Sequence, residues 1–224
     1  MSTPADYIRA FMPERPVQPS RAALVIIDMQ YATGSRVGGL GRKLKADGST
    51  VGDYRFDRIE QSVLPCTLRL RALFTQLKLP VLHVTLGAAN PDGSDAPIHL
   101  RKLLVEFNNF VGSREHEILD ELKPLPGEHV LRKTTIGAFA STNIDSLLRA
   151  LGAEQLYLAG VSTNMCVETT AREAADRGYL VTLVEDACGT THEDLHHVTM
   201  RNFQRLFGRV RSTDEALVEL QPSA

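Results

Sequence analysis

The chain has no tryptophan, only three cysteines in 224 residues, and aromatic residues make up 6 % of it. Cys66, Cys166 and Cys188 are odd in number and irregular in spacing. Such a set is a poor disulfide framework and matches no zinc pattern, which points to a reducing compartment. No apolar run approaches the roughly 20 residues needed to span a bilayer, and the longest runs are strand-length. Neither sign of charge is in excess: 27 acidic residues against 25 basic ones give a formal net charge of −2. Bulk electrostatics therefore recruit neither nucleic acid nor an anionic membrane. The opening "MSTPADYIRAFMPERPVQPS" is polar, carries four prolines and lacks the apolar stretch of a secretory leader. These absences predict a cytoplasmic protein. Hydrophobic residues at 43 % are ordinary globular usage and exclude extensive disorder.

Residues 1–20 read as an extended N-terminal arm and 21–224 as one domain. "AALVIID" is a continuous apolar run ending in a carboxylate, as in a strand buried on both faces. The stretch "ATGSRVGGLGRKLKADGSTVGDYR" reads as a long surface loop, rich in glycine and charge. "FDRIEQSVLPCTLRLRALFTQLK" has helical period, with Asp57 as N-cap and Pro65 as a kink. The strand "PVLHVTL" follows, then an irregular stretch from Gly87 to about Gly112 and a helix near "REHEILDEL". Beyond these lie the strand "HVLRK", the helix "NIDSLLRALG", the strand "EQLYLAG", the helix "NMCVETTAREAADRG" and the strand "YLVTLVEDA". Capping boxes at Thr191/Asp194 and Ser212/Glu215 predict two closing helices. Strands alternating with helices imply an α/β fold, a parallel sheet covered on both faces.

Ligands of open α/β sheets bind beyond the carboxyl ends of the strands. Asp28, Lys133 and Cys166 all fall there. Singly, each has a bland explanation: a loop cap, a solvated lysine, a small hydrophobe. Together they form a chemical set. A thiolate is a nucleophile that a helix start and an ammonium can stabilise, and a carboxylate can take the thiol proton and return it to a leaving amine. Backbone N–H groups at the helix start can hold the oxyanion of a tetrahedral intermediate. That chemistry suits acyl transfer at an amide carbonyl.

"ALVIIDMQ", "LRKTTIGAFASTNID" and "AGVSTNMCVETTAREAADRGYLVTLVEDACGTTHE" closely resemble the isochorismatase-like cysteine hydrolases, from about Ala22 to Arg211. The resemblance implies a three-layer α/β/α hydrolase with a mostly parallel sheet and the catalytic triad Asp28, Lys133 and Cys166. It also implies a cis peptide between Val161 and Ser162, so that the N–H groups of Ser162 and Cys166 form an oxyanion hole. A homo-oligomer, dimer or tetramer, is expected. Metal-binding nicotinamidases carry an Asp-x-His-x-x-x-His stretch after the second strand. Here "LHVTLGAANPDGSDAPIHL" spaces His83 and His99 too widely, so neither metal nor cofactor is expected. The expected substrate is a small amide, ureido or carbamoyl compound, with water as co-substrate, as in the biuret hydrolase, N-carbamoylsarcosine amidase and ureidoacrylate amidohydrolase branch. Alternatives are a vinyl-ether hydrolase of isochorismatase type, which Cys166 argues against, and an inactive small-molecule-binding paralogue.

Other residues admit a site role and a bland one. Gln30 either hydrogen-bonds near the site or anchors the following loop, and Phe139 either walls the pocket or packs in the core. Arg36 and Arg42 could meet a substrate carboxylate, although loop arginines are ordinarily solvated. "GGLGRK" fits no phosphate-binding spacing. His83 reads as a satisfied core histidine, and His192, His196 and His197 as capping and surface residues. Cys66 and Cys188 read as structural.

Overall fold

In the computed structural model, which describes residues 8, 11 and 16–221, one six-stranded parallel sheet forms the centre of the fold. The strands are β1 (Ala22–Ile27), β2 (Val81–Leu86), β3 (His129–Lys133), β4 (Gln155–Val161), β5 (Leu180–Gly189) and β6 (Arg209–Arg211), in the order β3-β2-β1-β4-β5-β6. The chain builds outward from β1 to β3, then returns to β4 and builds the other way. The switch of direction lies between β1 and β4, where such sheets open a crevice beyond the strand ends. β6 is too short to have announced itself in the sequence.

The central strands read as apolar runs because both faces are covered, and their alternation sorts side chains by period two. Ala23, Val25 and Ile27 face one core with Leu156, Leu158, Val181 and Leu183. That core is closed by α6 (Ile144–Ala150), α7 (Glu168–Asp176) and α8 (Glu193–Leu206) through Ile144, Leu148, Ala171, Ala174, Met200 and Phe203. Ala22, Leu24 and Ile26 face the other core with Tyr157 and Val184, beneath α4 (Leu64–Gln76) and α9 (Thr213–Leu220). Three layers result, as expected. At Gly160, φ is +116° and a Cβ would collide with the carbonyl oxygen of Ile27 on β1, so only glycine lets β4 lie this close.

The segment read as a surface loop is instead α1 (Tyr31–Gly34), α2 (Gly39–Ala46) and the start of α3 (Asp53–Arg58). Its glycines serve close approach rather than flexibility. A Cβ at Gly38 or Gly41 would strike the carbonyl oxygens of Tyr31 or Arg36, and one at Gly39 the backbone of Phe107. The next helix starts at Asp53 with Gly52 as N-cap, not at Asp57, whose carboxylate pairs with Arg36. One π-helical turn, Ile59–Val63, joins α3 to α4. The wider turn accommodates Pro65, which has no N–H and would crowd the carbonyl four residues back.

The stretch after Gly87 contains α5 (Ile98–Glu106). "REHEILDEL" forms no helix beyond a 3₁₀ turn at Asp120–Leu122. Its backbone is engaged elsewhere: Ala32 and Tyr31 N–H donate to the Glu115 and Glu117 carbonyls, and Leu119 N–H donates to Met29. The Ser212/Glu215 capping box forms as read, whereas α8 is capped by His192 without a side-chain bond, so the Thr191/Asp194 box does not form. The N-terminal arm falls mostly outside the described residues. At its end, Gln18 N–H and the Pro16 carbonyl bond the Gln155 amide.

Candidate active site

Asp28 follows β1 directly, at φ +52°, in the left-handed region that Asp tolerates better than most residues. Its N–H donates to Val84 and its carbonyl accepts from Gln30 N–H, so the chain turns sharply and the carboxylate stays at the sheet edge. Lys133 ends β3, yet it is 0 % exposed. Its side chain crosses the end of β2. Nζ donates to Asp28 Oδ2 at 2.9 Å, to Cys166 Sγ at 3.3 Å and to the Thr135 carbonyl at 3.2 Å. An ammonium has three hydrogens, and all three are used. The structure thus brings Asp28, Lys133 and Cys166 together in one buried cluster.

Cys166 sits in a single π-helical turn, Thr163–Val167, between β4 and α7, and not in the first turn of a regular helix as the sequence suggested. The peptide between Val161 and Ser162 is cis. Met165 and Val167 N–H both point to the Ser162 carbonyl, at 3.0 and 3.3 Å. Thr163 Oγ1 meets His196 Nδ1 at 3.0 Å, and Arg58 Nη2 meets His196 Nε2 at 2.9 Å. A guanidinium only donates, so Nε2 is the acceptor and Nδ1 carries the proton that bonds Thr163. Burial and Arg58 hold His196 down at about 3, hence neutral. His196 is therefore no surface residue. Positions 196, 199, 200 and 203 of α8 are all buried, a helical stripe that could have flagged it. His197 packs edge-on against His196 but pairs with Glu193 on the surface, and His192 caps the helix.

The electrostatics correct the expectation of a resting thiolate. Burial pushes the Cys166 thiol up to about 12, and the Asp28 charge adds to that against the pull of Lys133. Burial alone would lower Lys133, but the Asp28 and Cys166 charges outweigh it and hold the ammonium above its ordinary range. A neutral thiol thus rests beside a charged ammonium. Asp28 Oδ1 is buried with no partner among the described residues, a free acceptor in the cluster.

Gln30 is spent on structure. Its Oε1 accepts from Leu86 N–H, and Nε2 donates to the Leu86 and His116 carbonyls. Phe139 lies in the same core cluster as Cys166, with Arg177 over its ring and Tyr179 beside it. His83 is buried and bonds Glu128, which also takes Arg71. Cys188 is buried in β5 with its thiol on the Leu158 carbonyl. Arg36 pairs with Asp57 and Glu60, and Arg42 with Glu115. Arg55, which carried no signal in the sequence, is 3 % exposed and donates to Ser162 Oγ at 2.7 Å. A surface pocket lined by Arg36, Leu44, Lys45, Asp53 and Phe56 shares no residue with the buried cluster.

A ureidoacrylate amidohydrolase of Variovorax paradoxus (strain S110) is 29 % identical, with 95 % of this chain and 88 % of that protein covered. The N-carbamoylsarcosine amidase of Thermoplasma acidophilum superposes with a TM-score of 0.64 at 25 % identity, covering 87 % of this chain and 97 % of that one. An isochorismatase family protein of Desulfovibrio vulgaris reaches 0.73 at 27 %, covering 88 % and 98 %. Residues 22–215 match the isochorismatase domain, and with the sheet and its strand-end cluster in place, the chain belongs to the isochorismatase family.

Proposed function

We propose that the protein is an amidohydrolase that cleaves a linear C–N bond of a small ureido or carbamoyl compound through a thioester on Cys166. The observation that carries this reading is the position of Lys133 Nζ, 2.9 Å from Asp28 Oδ2 and 3.3 Å from Cys166 Sγ. The likeness to amidases acting on ureidoacrylate and N-carbamoylsarcosine supports the substrate class.

The steps follow from the resting charges. As substrate enters, the thiol proton passes to Asp28, whose Oδ1 is free to take it. Sγ attacks the carbonyl carbon, and the charge moves to the carbonyl oxygen, held by the N–H groups of Ser162 and Cys166. The C–N bond breaks as Asp28 returns the proton to the departing nitrogen. Water then attacks the thioester with Asp28 taking its proton, and the thiol is restored as the acyl product leaves. Lys133 compensates negative charge throughout, and because its three hydrogens are already committed it need not reorient.

The reading extends to a cytoplasmic location, in keeping with the free cysteines, and to a homo-oligomer, supported by Leu195, Val198 and Leu206, large apolar side chains left exposed along α8. Among the described residues, no helix is long and apolar enough to cross a membrane. An ammonia-release screen over biuret, carbamoyl amino acids, ureidoacrylate-like compounds and simple amides tests the chemistry. Turnover of none of them by the pure protein overturns it.

A further inference from the structure

Arg55 is a buried cation with no carboxylate in direct ion-pair contact among the described residues, although the Asp28 charge reaches it and favours its charged form. Nε donates to the Thr33 carbonyl at 2.9 Å and Nη1 to Ser162 Oγ at 2.7 Å. Arginines on either side are neutralised or spent: Arg36 on Asp57 and Glu60, Arg42 on Glu115, Arg58 on the carbonyls of Glu185 and Cys188. A guanidinium taken out of water normally meets an acid. Arg55 instead touches a carbonyl and a hydroxyl, with the Asp28 charge acting on it from farther off.

Ser162 Oγ accepts from Arg55, so its own hydrogen must point away from the guanidinium. Among the described residues that hydrogen has no acceptor, and Ser162 is only partly buried. The turn carrying Cys166 folds around this residue, with Met165 and Val167 N–H on the Ser162 carbonyl. A hydroxyl that accepts from a cation is a stronger donor than one in water, and low surrounding polarity strengthens it further.

We propose that the Ser162 hydroxyl is a catalytic hydrogen-bond donor to the carbonyl oxygen under attack, and that Arg55 is the positioning residue that aims and polarises it. This rests on the amidohydrolase reading above and adds a side-chain donor to the two backbone N–H groups. The relay predicts coupling: without Arg55 the hydroxyl loses its advantage, and without the hydroxyl Arg55 has nothing to polarise.

The test is steady-state kinetics on the compound turned over best in the ammonia-release screen. Ser162→Ala keeps the backbone N–H and removes the hydroxyl. Its kcat falls about 10- to 100-fold with KM within about 3-fold, the signature of a donor that acts in the transition state. Ser162→Thr recovers most of the loss. Arg55→Met falls by a similar factor, Arg55→Lys by less, and the double variant is no slower than the worse single one. A wild-type kcat in Ser162→Ala overturns the proposal, as do losses that multiply in the double variant. Should Arg55→Met fail to fold, the Ser162 pair decides alone.

If no compound is turned over, the amidohydrolase reading fails and the donor is read without turnover. A small aldehyde adds to Cys166, with sulfur bonding the carbonyl carbon and the thiol hydrogen moving to the oxygen, and so protects the thiol from iodoacetamide. The aldehyde concentration for half-protection rises about 10-fold in Ser162→Ala if the hydroxyl holds that oxygen. Equal protection overturns the proposal.

Discussion

Lys133, the last residue of β3, donates to Asp28 across the end of β2, two strands away in the sheet. The pairing works because all strands run parallel and end at one edge, and because lysine has a side chain long enough to span the intervening strand. It leaves the ammonium within reach of a thiol presented from beyond β4, on the other side of the direction switch.

Replacing the nucleophile separates chemistry from folding. Cys166→Ser is nearly isosteric in a site that is 6 % exposed, so the thermal midpoint should stay within about 4 °C, equivalent to roughly 1 kcal/mol or less. Turnover should vanish, since this site has no means to ionise an alcohol. More than a trace of remaining activity would mean that another group attacks.

The raised thiols also predict how stability depends on pH. Cys166 and Cys188 are both pushed up to about 12 by burial, whereas an unfolded cysteine titrates near ~8.5. Between these values the unfolded chain loses protons that the fold retains. The contribution of each thiol is thus complete below the unfolded value and fades as pH rises toward the folded one. Each such thiol should lower stability by up to about 1.4 kcal/mol per pH unit above roughly 8.5. Urea melts from pH 7.5 to 10 measure this slope, which should shrink in Cys188→Ala. A flat profile would show that the thiols ionise in the folded protein.

The same argument sets the alkylation behaviour of Cys166. In the free enzyme at neutral pH, iodoacetamide should label it more slowly than an exposed cysteine, with the rate climbing through the alkaline range. Lys133→Met removes the charge that favours the thiolate, so the rise should move to still higher pH. Rapid labelling with a midpoint below neutrality would refute the neutral resting thiol.

Glu128 joins Arg71 and His83 in a buried group beneath β2, with its carboxylate taking Arg71 Nε and Nη2 at 2.8 and 2.7 Å. Glu128→Ala leaves a buried guanidinium unpaired, a loss of roughly 3–5 kcal/mol by denaturant melting. A change below 1 kcal/mol, about one factor of five, would mean that water reaches Arg71 freely.

Gly160→Ala tests the closeness of β1 and β4. The new Cβ meets the Ile27 carbonyl at a φ that side chains avoid, so soluble yield should collapse or the melting midpoint fall steeply. A variant as stable as wild type would show that the strands can part there.

Residue pattern was enough for the layer architecture, because strands buried on both faces must be continuous apolar runs and the helices between them keep a helical apolar period. Asp28, Lys133 and Cys166 were legible for the same reason: parallel strands place every strand end at one edge. The glycine-rich 31–55 segment was not legible, since glycine marks a flexible loop and a tight contact alike, and only the positions of Tyr31, Arg36 and Phe107 decide which. "REHEILDEL" has helical composition, but its backbone bonds went to the turn after β1. Only packing in three dimensions put Arg55 on Ser162, turned His196 inward to Thr163 and pushed the Cys166 thiol above its ordinary range. Burial and charge at a point depend on every element packed around it, and no local stretch of sequence contains that sum.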